Sequence, residues 1–145
     1  MPEKQTLERA REDAREGKSA STQAGEFVRE EIHHVREGKH GVRSPQQAIA
    51  IGLSKARRAG VKLAPPKGRA SVRKKAAQDA KVSKSPRHKT SAKRSRAVSG
   101  ALRRESARGA SHQALSRQAK KSAQKRGKPD RRRAALKAAK TRRAA

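Results

Sequence analysis

Large apolar residues are concentrated in the first part of this 145-residue chain. Residues 1–63 contain 11 Ile, Leu, Val and Phe residues, whereas the remaining 82 positions contain 6. The whole sequence has one Phe and neither Trp nor Tyr. Because buried apolar area has to offset the conformational entropy lost on folding, these counts predict a small folded unit at the amino terminus and little core material after it.

Charge divides the chain at nearly the same place. Residues 1–60 contain 12 Lys/Arg and 9 Asp/Glu, whereas residues 61–145 contain 29 and 3, within a net charge of +29. Between the two parts, Pro65 and Pro66 interrupt any helix, since proline lacks the N–H donor and restricts the residue before it. We therefore predict a small α-helical unit over residues 1–63, a Pro/Gly linker over 64–69 and a Lys/Arg/Ala-rich cationic tail over 70–145.

The stretch Ser44–Leu63 carries a full set of helix signals. Ser44 and Gln47 have the spacing of a capping box, and Pro45 suits the first helical position, where its missing donor would be unpaired anyway. Gly60 can adopt the left-handed conformation that ends a helix, with Val61 folding back as its hydrophobic contact. One face of this predicted helix carries Ile49, Leu53 and Ala56, with Gly52 flattening it.

Two shorter helices are predicted before this stretch. Thr6 can cap the first, which runs to about Glu16, and Ser21 or Thr22 can start the second, which runs to Glu37. The second helix has the strongest hydrophobic stripe in the chain, formed by Ala24, Val28, Ile32 and Val35 with Phe27 beside them. Because this stripe needs a cover and the face of the third helix offers one, we predict an αα-hairpin.

The tail has good helix propensity but few large apolar residues. Its predicted helical segments are Ala70–Val82, Ala92–Ala107, Ser111–Arg126 and Arg131–Arg143. Without a packed face, and with many like charges close together, such helices are marginal in water. The predicted fold class is thus all-α: a helical hairpin or three-helix unit followed by a largely disordered or conditionally helical tail that orders on a polyanion.

Such an excess of Lys and Arg is typical of a protein that binds nucleic acid, because cations neutralise phosphates and release counterions without reading bases. Arg117, Lys120, Lys121 and Lys125 share one face of their predicted helix, which suits contact along a groove. The predicted nucleic-acid-binding residues are Lys55, Arg57, Arg58, Lys62, Arg73, Lys74, Lys75, Arg87, Lys93, Arg94, Arg103, Arg104, Arg117, Lys120, Lys121, Lys125, Arg126, Arg131, Arg132, Arg133, Lys137, Lys140, Arg142 and Arg143.

Duplex DNA is the favoured partner. Recognition of single strands relies on aromatic side chains that stack on bases, and these are almost missing. The expected function is sequence-nonspecific DNA binding of the nucleoid-associated, histone-like kind, acting by phosphate neutralisation and compaction. The alternatives are an RNA- or ribosome-associated basic protein, or a protein-interaction adaptor whose tail localises it to nucleic acid. A helix-turn-helix reading of the hairpin is less favoured, because the cations crowd the far end of the would-be recognition helix.

Several other functions are not expected. Neither a nucleophile-base arrangement nor a phosphate-cradling glycine loop stands out, so we expect no enzyme and no cofactor. Cysteine is absent. A metal site is conceivable on Glu30, His33, His34, Glu37 and His40, but intrahelical Glu/His pairs explain their spacing, and no metal is predicted. Ser85–His88 is similar to the Ser-Pro-basic elements of linker histones, although an ordinary turn is the favoured interpretation.

The blocks Gly25–Ile32 (GEFVREEI) and Gly41–Gly60 (GVRSPQQAIAIGLSKARRAG) carry a family resemblance. Over about residues 1–66 the chain resembles small basic bacterial proteins known only as a domain of unknown function. The resemblance implies a bacterial, cytoplasmic setting and carries no activity or site residues. The tail is similar to histone-like nucleoid proteins in composition only. With no apolar run long enough for a membrane span, we expect a cytoplasmic protein of the bacterial nucleoid.

Overall fold

A computed structural model describes residues 2–83 and 91–144 of the chain, and this part is all-α, as predicted. It contains seven α-helices, one short 3₁₀ turn at Ala107–Ala110 and no strand. The helices are α1 Lys4–Arg15, α2 Ala20–Arg36, α3 Pro45–Arg58, α4 Ala70–Val82, α5 Ala92–Arg104, α6 His112–Lys125 and α7 Gly127–Ala144.

Helix α3 begins and ends where its signals predict. Ser44 Oγ accepts a hydrogen bond from the N–H of Gln47 at 3.3 Å. The return bond of the capping box reaches one residue further back than expected, since Gln47 Oε1 accepts from the N–H of Arg43 at 2.7 Å. At the other end Gly60 has φ +96°, and the N–H of Val61 donates to the last turn of the helix. These contacts satisfy backbone groups that a helix end leaves without partners.

The predicted starts of the first two helices are wrong by a few residues. Helix α1 begins at Lys4, and Thr6 is buried inside the helix instead of capping it. Helix α2 is capped by Ser19, whose Oγ accepts from the N–H of Thr22 at 3.3 Å. The stretch from Ser19 to Thr22 contains three cap-forming residues, so local sequence does not decide between them.

The predicted αα-hairpin is formed by α2 and α3, which run antiparallel. Ala24 near the start of α2 packs in one cluster with Ala56 near the end of α3, and Val35 at the end of α2 packs with Ala48 at the start of α3. Between these two levels, Gly52 faces Val28 so closely that a Cβ atom placed on it would lie 2.7 Å from the Val28 Cα. The two backbones are therefore in direct contact at the centre of the hairpin.

The predicted face of α3 is confirmed at Gly52, Leu53 and Ala56 and is wrong at Ile49, whose place is taken by Ala48. Ala48, Gly52 and Ala56 are its buried residues, four positions apart, whereas Ile49 is only partly buried and belongs to neither core cluster. Small side chains at this spacing let helix axes come close, and a large side chain in the same line would separate them. The larger residues of α3 instead lie beside the contact line, where Leu53 packs on the first cluster and Ile51 on the second.

Two small clusters make up the core. The first contains Ala10, Ala24, Phe27 and Ala56, covered by Leu7, Leu53, Val61 and Leu63. The second contains Val35, Val42, Ala48 and Ala110, covered by Ile32 and Ile51. Phe27 is fully buried and is the largest side chain in either cluster. Ala110 lies in the region predicted to be tail, so the core is completed by residues far along the chain.

The prediction of a largely disordered tail is wrong for the described residues, which are mostly helical. Helix α4 matches its predicted bounds, whereas α5 ends at Arg104 and α7 begins already at Gly127. Part of the reason is docking on the hairpin. The carbonyl oxygens of Leu102 and Ser106 accept hydrogen bonds from the N–H groups of Gly41 and Val42 at 2.9 and 3.0 Å. Arg36 Nε donates to the Ala110 carbonyl at 3.0 Å.

Substituting Gly52→Ala should lower the free energy of unfolding by about 1–3 kcal/mol, because the added methyl group has to push the α2 and α3 backbones apart. Urea unfolding followed by circular dichroism measures this change. The matched control is Gly25→Ala on the exposed side of α2, where a Cβ meets nothing within 4 Å. That substitution should raise stability by up to about 1 kcal/mol through helix propensity. Equal effects of the two substitutions would contradict the close backbone contact.

Candidate nucleic-acid interface

One predicted phosphate-binding residue, Lys55, lies inside the hairpin. Its Nζ is 3.2 Å from Glu30 Oε1 and 2.7 Å from Glu31 Oε2, and both carboxylates are almost fully buried. Burial alone would lower the pKa of Lys55, but contacts with Glu31 and Glu30 outweigh it and raise the pKa above its ordinary value. The Lys55 ammonium therefore remains charged and paired within the protein, and it does not belong to the group of exposed cations.

Glu30 also joins α1 to the hairpin. Its Oε2 accepts a hydrogen bond from the backbone N–H of Glu3 at 3.2 Å. Burial alone would raise the pKa of Glu30, but contacts with Thr6, the Glu3 N–H and Lys55 hold it below its ordinary value. Three helices thus meet around one buried carboxylate.

A second buried carboxylate docks α4 on α3. Asp79 is 2% exposed and accepts hydrogen bonds from Ser54 Oγ at 2.7 Å and Arg58 Nε at 2.9 Å on α3. Lys75, one turn earlier on α4, donates to the same carboxylate at 3.2 Å. Arg58, a predicted phosphate-binding residue, thus holds the cationic segment on the folded unit, whereas the Lys75 contact lies within α4, and about half of each side chain stays exposed.

Helix α6 presents its cations outward. Arg117, Lys120, Lys121 and Lys125 are all exposed, on the face where their spacing predicts them. The other side of the helix is partly buried, and there Gln118 Oε1 accepts a hydrogen bond from Gln46 Nε2 at 2.6 Å. This contact with α3, together with packing on the 3₁₀ turn, fixes which face of α6 is available to a partner.

Helix α7 packs against α6 and is otherwise open to solvent. Its 18 residues give it a length of about 27 Å. Leu136, its largest apolar residue, is 63% exposed. Arg133 forms an ion pair with Asp130 at 3.3 Å. The predicted cations on this helix, all exposed, are Arg131, Arg132, Arg133, Lys137, Lys140, Arg142 and Arg143.

The other predicted cations are more scattered. Arg57 is partly buried, and Arg87, together with the rest of Ser85–His88, lies outside the described residues. The exposed ones are Lys62 after α3, Arg73 and Lys74 on α4, Lys93, Arg94, Arg103 and Arg104 on α5, and Arg126 after α6. Four further exposed cations of α4 to α7 and the turns between them, Lys81, Arg96, Arg108 and Lys128, were missed. The only sequence signal for these cations is that they lie in a segment with few Asp and Glu residues.

The surface beyond α4 is therefore almost uniformly cationic. Residues 91–144 contain 19 Lys/Arg and 2 Asp/Glu. Both acids are already paired, Glu105 with Arg43 at 3.1 Å and Asp130 with Arg133 at 3.3 Å. Such a surface attracts polyanions and offers many charge-assisted hydrogen bonds to phosphate oxygens.

The fold and this surface define a small, all-α, strongly basic protein. Residues 14–68 match the sequence model of a family of unknown function (DUF6496), which agrees with the resemblance seen in the sequence. The matched range begins near the end of α1, includes α2 and α3, and ends in the linker before α4. No curated protein and no solved structure gives a significant match to the chain. None of the described helices is long and apolar enough to span a membrane.

Substituting Asp79→Asn should destabilise the protein by about 1–3 kcal/mol at neutral pH, because Arg58 and Lys75 lose a buried charged acceptor. Burial raises the pKa of Asp79, but hydrogen bonds from Ser54, Arg58 and Lys75 outweigh it and keep the pKa below its ordinary value. A carboxylate of this kind contributes stability above its unfolded pKa of about 4, and this contribution is lost as the pH falls through the folded value.

The stability difference between wild type and the Asp79→Asn variant should therefore be largest above about pH 5 and shrink below about pH 4. Urea unfolding at a series of pH values measures it. Asp130→Asn, in an exposed pair on α7, is the control and should change stability by less than about 0.5 kcal/mol. A pH-independent difference for Asp79→Asn would contradict the assigned role of the carboxylate.

Proposed function

We propose that this protein binds duplex DNA without strong sequence preference and thereby compacts or protects it. The observation that carries the proposal is the separation of charge in three dimensions. Glu30, Glu31 and Asp79 are buried in ion pairs, whereas the cations of α5, α6 and α7 are exposed with almost no acid among them. The proposed setting is the bacterial nucleoid.

A bound polyanion would stabilise the cationic helices. Like charges one turn apart destabilise a helix, and α7 has little packing to offset this repulsion. Phosphates at the surface of DNA would remove the repulsion and release the counterions condensed on the duplex. Association with DNA would thus stabilise the cationic helices as well as release counterions.

Shape also favours a duplex. An α-helix is about 10–12 Å wide with its side chains, which is close to the width of the major groove of B-DNA, about 12 Å. The cationic face of α6 is held outward by the folded unit, and α7 extends from its end. Base reading has little support, since Lys and Arg contacts to phosphates set position without specifying sequence. Stacking on single strands lacks the aromatic side chains it requires.

The proposed contacts are the exposed cations of α5 to α7. Lys55 is not among them, because its ammonium is paired with two buried carboxylates. Arg58 contributes through the docking of α4, and both Arg58 and Lys75 retain partial exposure for a phosphate contact.

The test is duplex binding over a salt series. The logarithm of the association constant should fall linearly with the logarithm of salt concentration, and with about six or more phosphate contacts affinity should drop by about 10³-fold between 50 and 200 mM salt. The triple variant Arg117→Gln, Lys120→Gln, Lys121→Gln should bind more weakly, with a slope shallower by up to about three. Gel shift or fluorescence anisotropy with duplexes of two unrelated sequences measures both quantities.

The control is the triple variant Lys4→Gln, Arg11→Gln, Arg29→Gln. It removes the same charge from exposed positions of α1 and α2 and should leave the slope nearly unchanged. Equal losses of affinity in the two triple variants would show that binding depends only on net charge, and would contradict a binding surface on α5 to α7. Stronger binding of structured RNA than of duplex DNA at equal phosphate concentration would contradict DNA as the partner and identify RNA instead.

A further inference from the structure

A group of potential metal ligands lies at the end of α2 and in the loop that follows it, away from the cationic helices. One ligand atom from each of Glu31, His34 and His40 lies within 4.8 Å of the others. Glu31 is 1% exposed, and the side chains of His34 and His40 are mostly buried. We propose that these three residues bind a transition-metal ion, with Zn²⁺ as the best match.

The donor set fits this metal. Two imidazoles and one carboxylate are ligands that Zn²⁺ prefers, and a water molecule commonly completes a tetrahedral site with three protein ligands. Bonds of about 2.0–2.1 Å place the ligand atoms of a tetrahedral site roughly 3.4 Å apart. Glu31 Oε1 and His40 Nε2 are already 3.1 Å apart. The ligand atom of His34 lies within 4.8 Å of the other two.

The contacts of His40 direct one ring nitrogen toward the backbone and the other toward Glu31. His40 Nδ1 lies 3.1 Å from the carbonyl oxygen of Gly41, which can only accept a hydrogen bond. With Nδ1 donating to this carbonyl, Nε2 is the ring atom that faces Glu31 Oε1. A metal ion placed between Nε2 and Oε1 would bond to both atoms. Metal-binding histidines commonly donate their other N–H to a carbonyl in this way.

The surroundings support both remaining ligands. Glu31 Oε2 is buried and lies 2.7 Å from Lys55 Nζ, but it accepts no well-directed hydrogen bond within the described part of the chain. Lys55 thus holds one oxygen of the carboxylate while the other faces His40. His34 Nε2 lies 2.8 Å from Glu3 Oε1, and with Nδ1 as the metal ligand this carboxylate–histidine contact would orient the ring.

The structure selects a different set of residues from the one that sequence spacing suggested. His33 points to the surface, with 66% of its side chain exposed, and pairs with Glu37 at 2.8 Å. Glu30 is engaged by Lys55 and the Glu3 backbone. Glu31, which the sequence spacing did not suggest, replaces Glu30 in the group because the loop brings His40 back against α2. A bound ion would tie this loop to α2 just before Val42 enters the second core cluster.

The test is titration of metal-free full-length protein with Zn²⁺ by calorimetry, with Co²⁺ as a spectroscopic probe. One equivalent should bind, and Co²⁺ should give the visible absorption of a tetrahedral site. His34→Gln and His40→Gln should each weaken binding at least about tenfold. The matched control is His33→Gln, the neighbouring residue on the same helix, which should bind like wild type.

Absence of saturable one-to-one binding, or equal weakening in all three variants, would overturn the proposal. So would binding that persists in both His34→Gln and His40→Gln. Should a variant fail to fold, as judged by circular dichroism, histidine modification of the wild-type protein decides. Zn²⁺ should then protect His34 and His40 from diethyl pyrocarbonate more than His33 and His112, and equal reactivity would count against the site.

Discussion

The direct contact between the α2 and α3 backbones is the constraint on which the rest of the structure depends. Gly52 allows this contact because it has no side chain to place against Val28. At this short distance Lys55 on α3 contacts both Glu30 and Glu31 on α2. The same contact brings Ala24 to Ala56 and Val35 to Ala48, so that a chain with one Phe still forms two core clusters.

The few acids of the chain have an organising role. Glu30 joins α1, α2 and α3, and Asp79 docks α4 on α3 through Ser54 and Arg58. Removing one partner of such a buried pair leaves the other without compensation, so each carboxylate stabilises the particular arrangement of helices in which it is paired. Glu30, Glu31 and Asp79 are buried, whereas the cations of α5 to α7 are exposed with almost no acid among them, and this local excess of positive charge is the basis of the proposed binding to DNA.

The candidate interface and the candidate metal site differ in how far sequence could predict them. Arg117, Lys120, Lys121 and Lys125 share a helix face whatever α6 packs against, because 3.6-residue periodicity alone determines it. Whether that face is exposed depends on Gln118 meeting Gln46, a contact between residues far apart in sequence. The grouping of Glu31, His34 and His40 depends on the path of a loop. Spacing along a single helix could not show that His34, and not His33, joins this group.

By itself, the sequence determined the all-α class, the cap and stop of α3, the pairing of α2 with α3, and the segregation of charge along the chain. These follow from local rules: capping residues, proline and glycine preferences, and helical periodicity. Only the tertiary structure decided that Ala48, not Ile49, faces α2, that Lys55 is an internal ion-pair partner, and that Ala110 completes the core. These depend on how closely two backbones approach and on which distant segment covers them, and a free energy of packing between distant segments cannot be read from either segment alone.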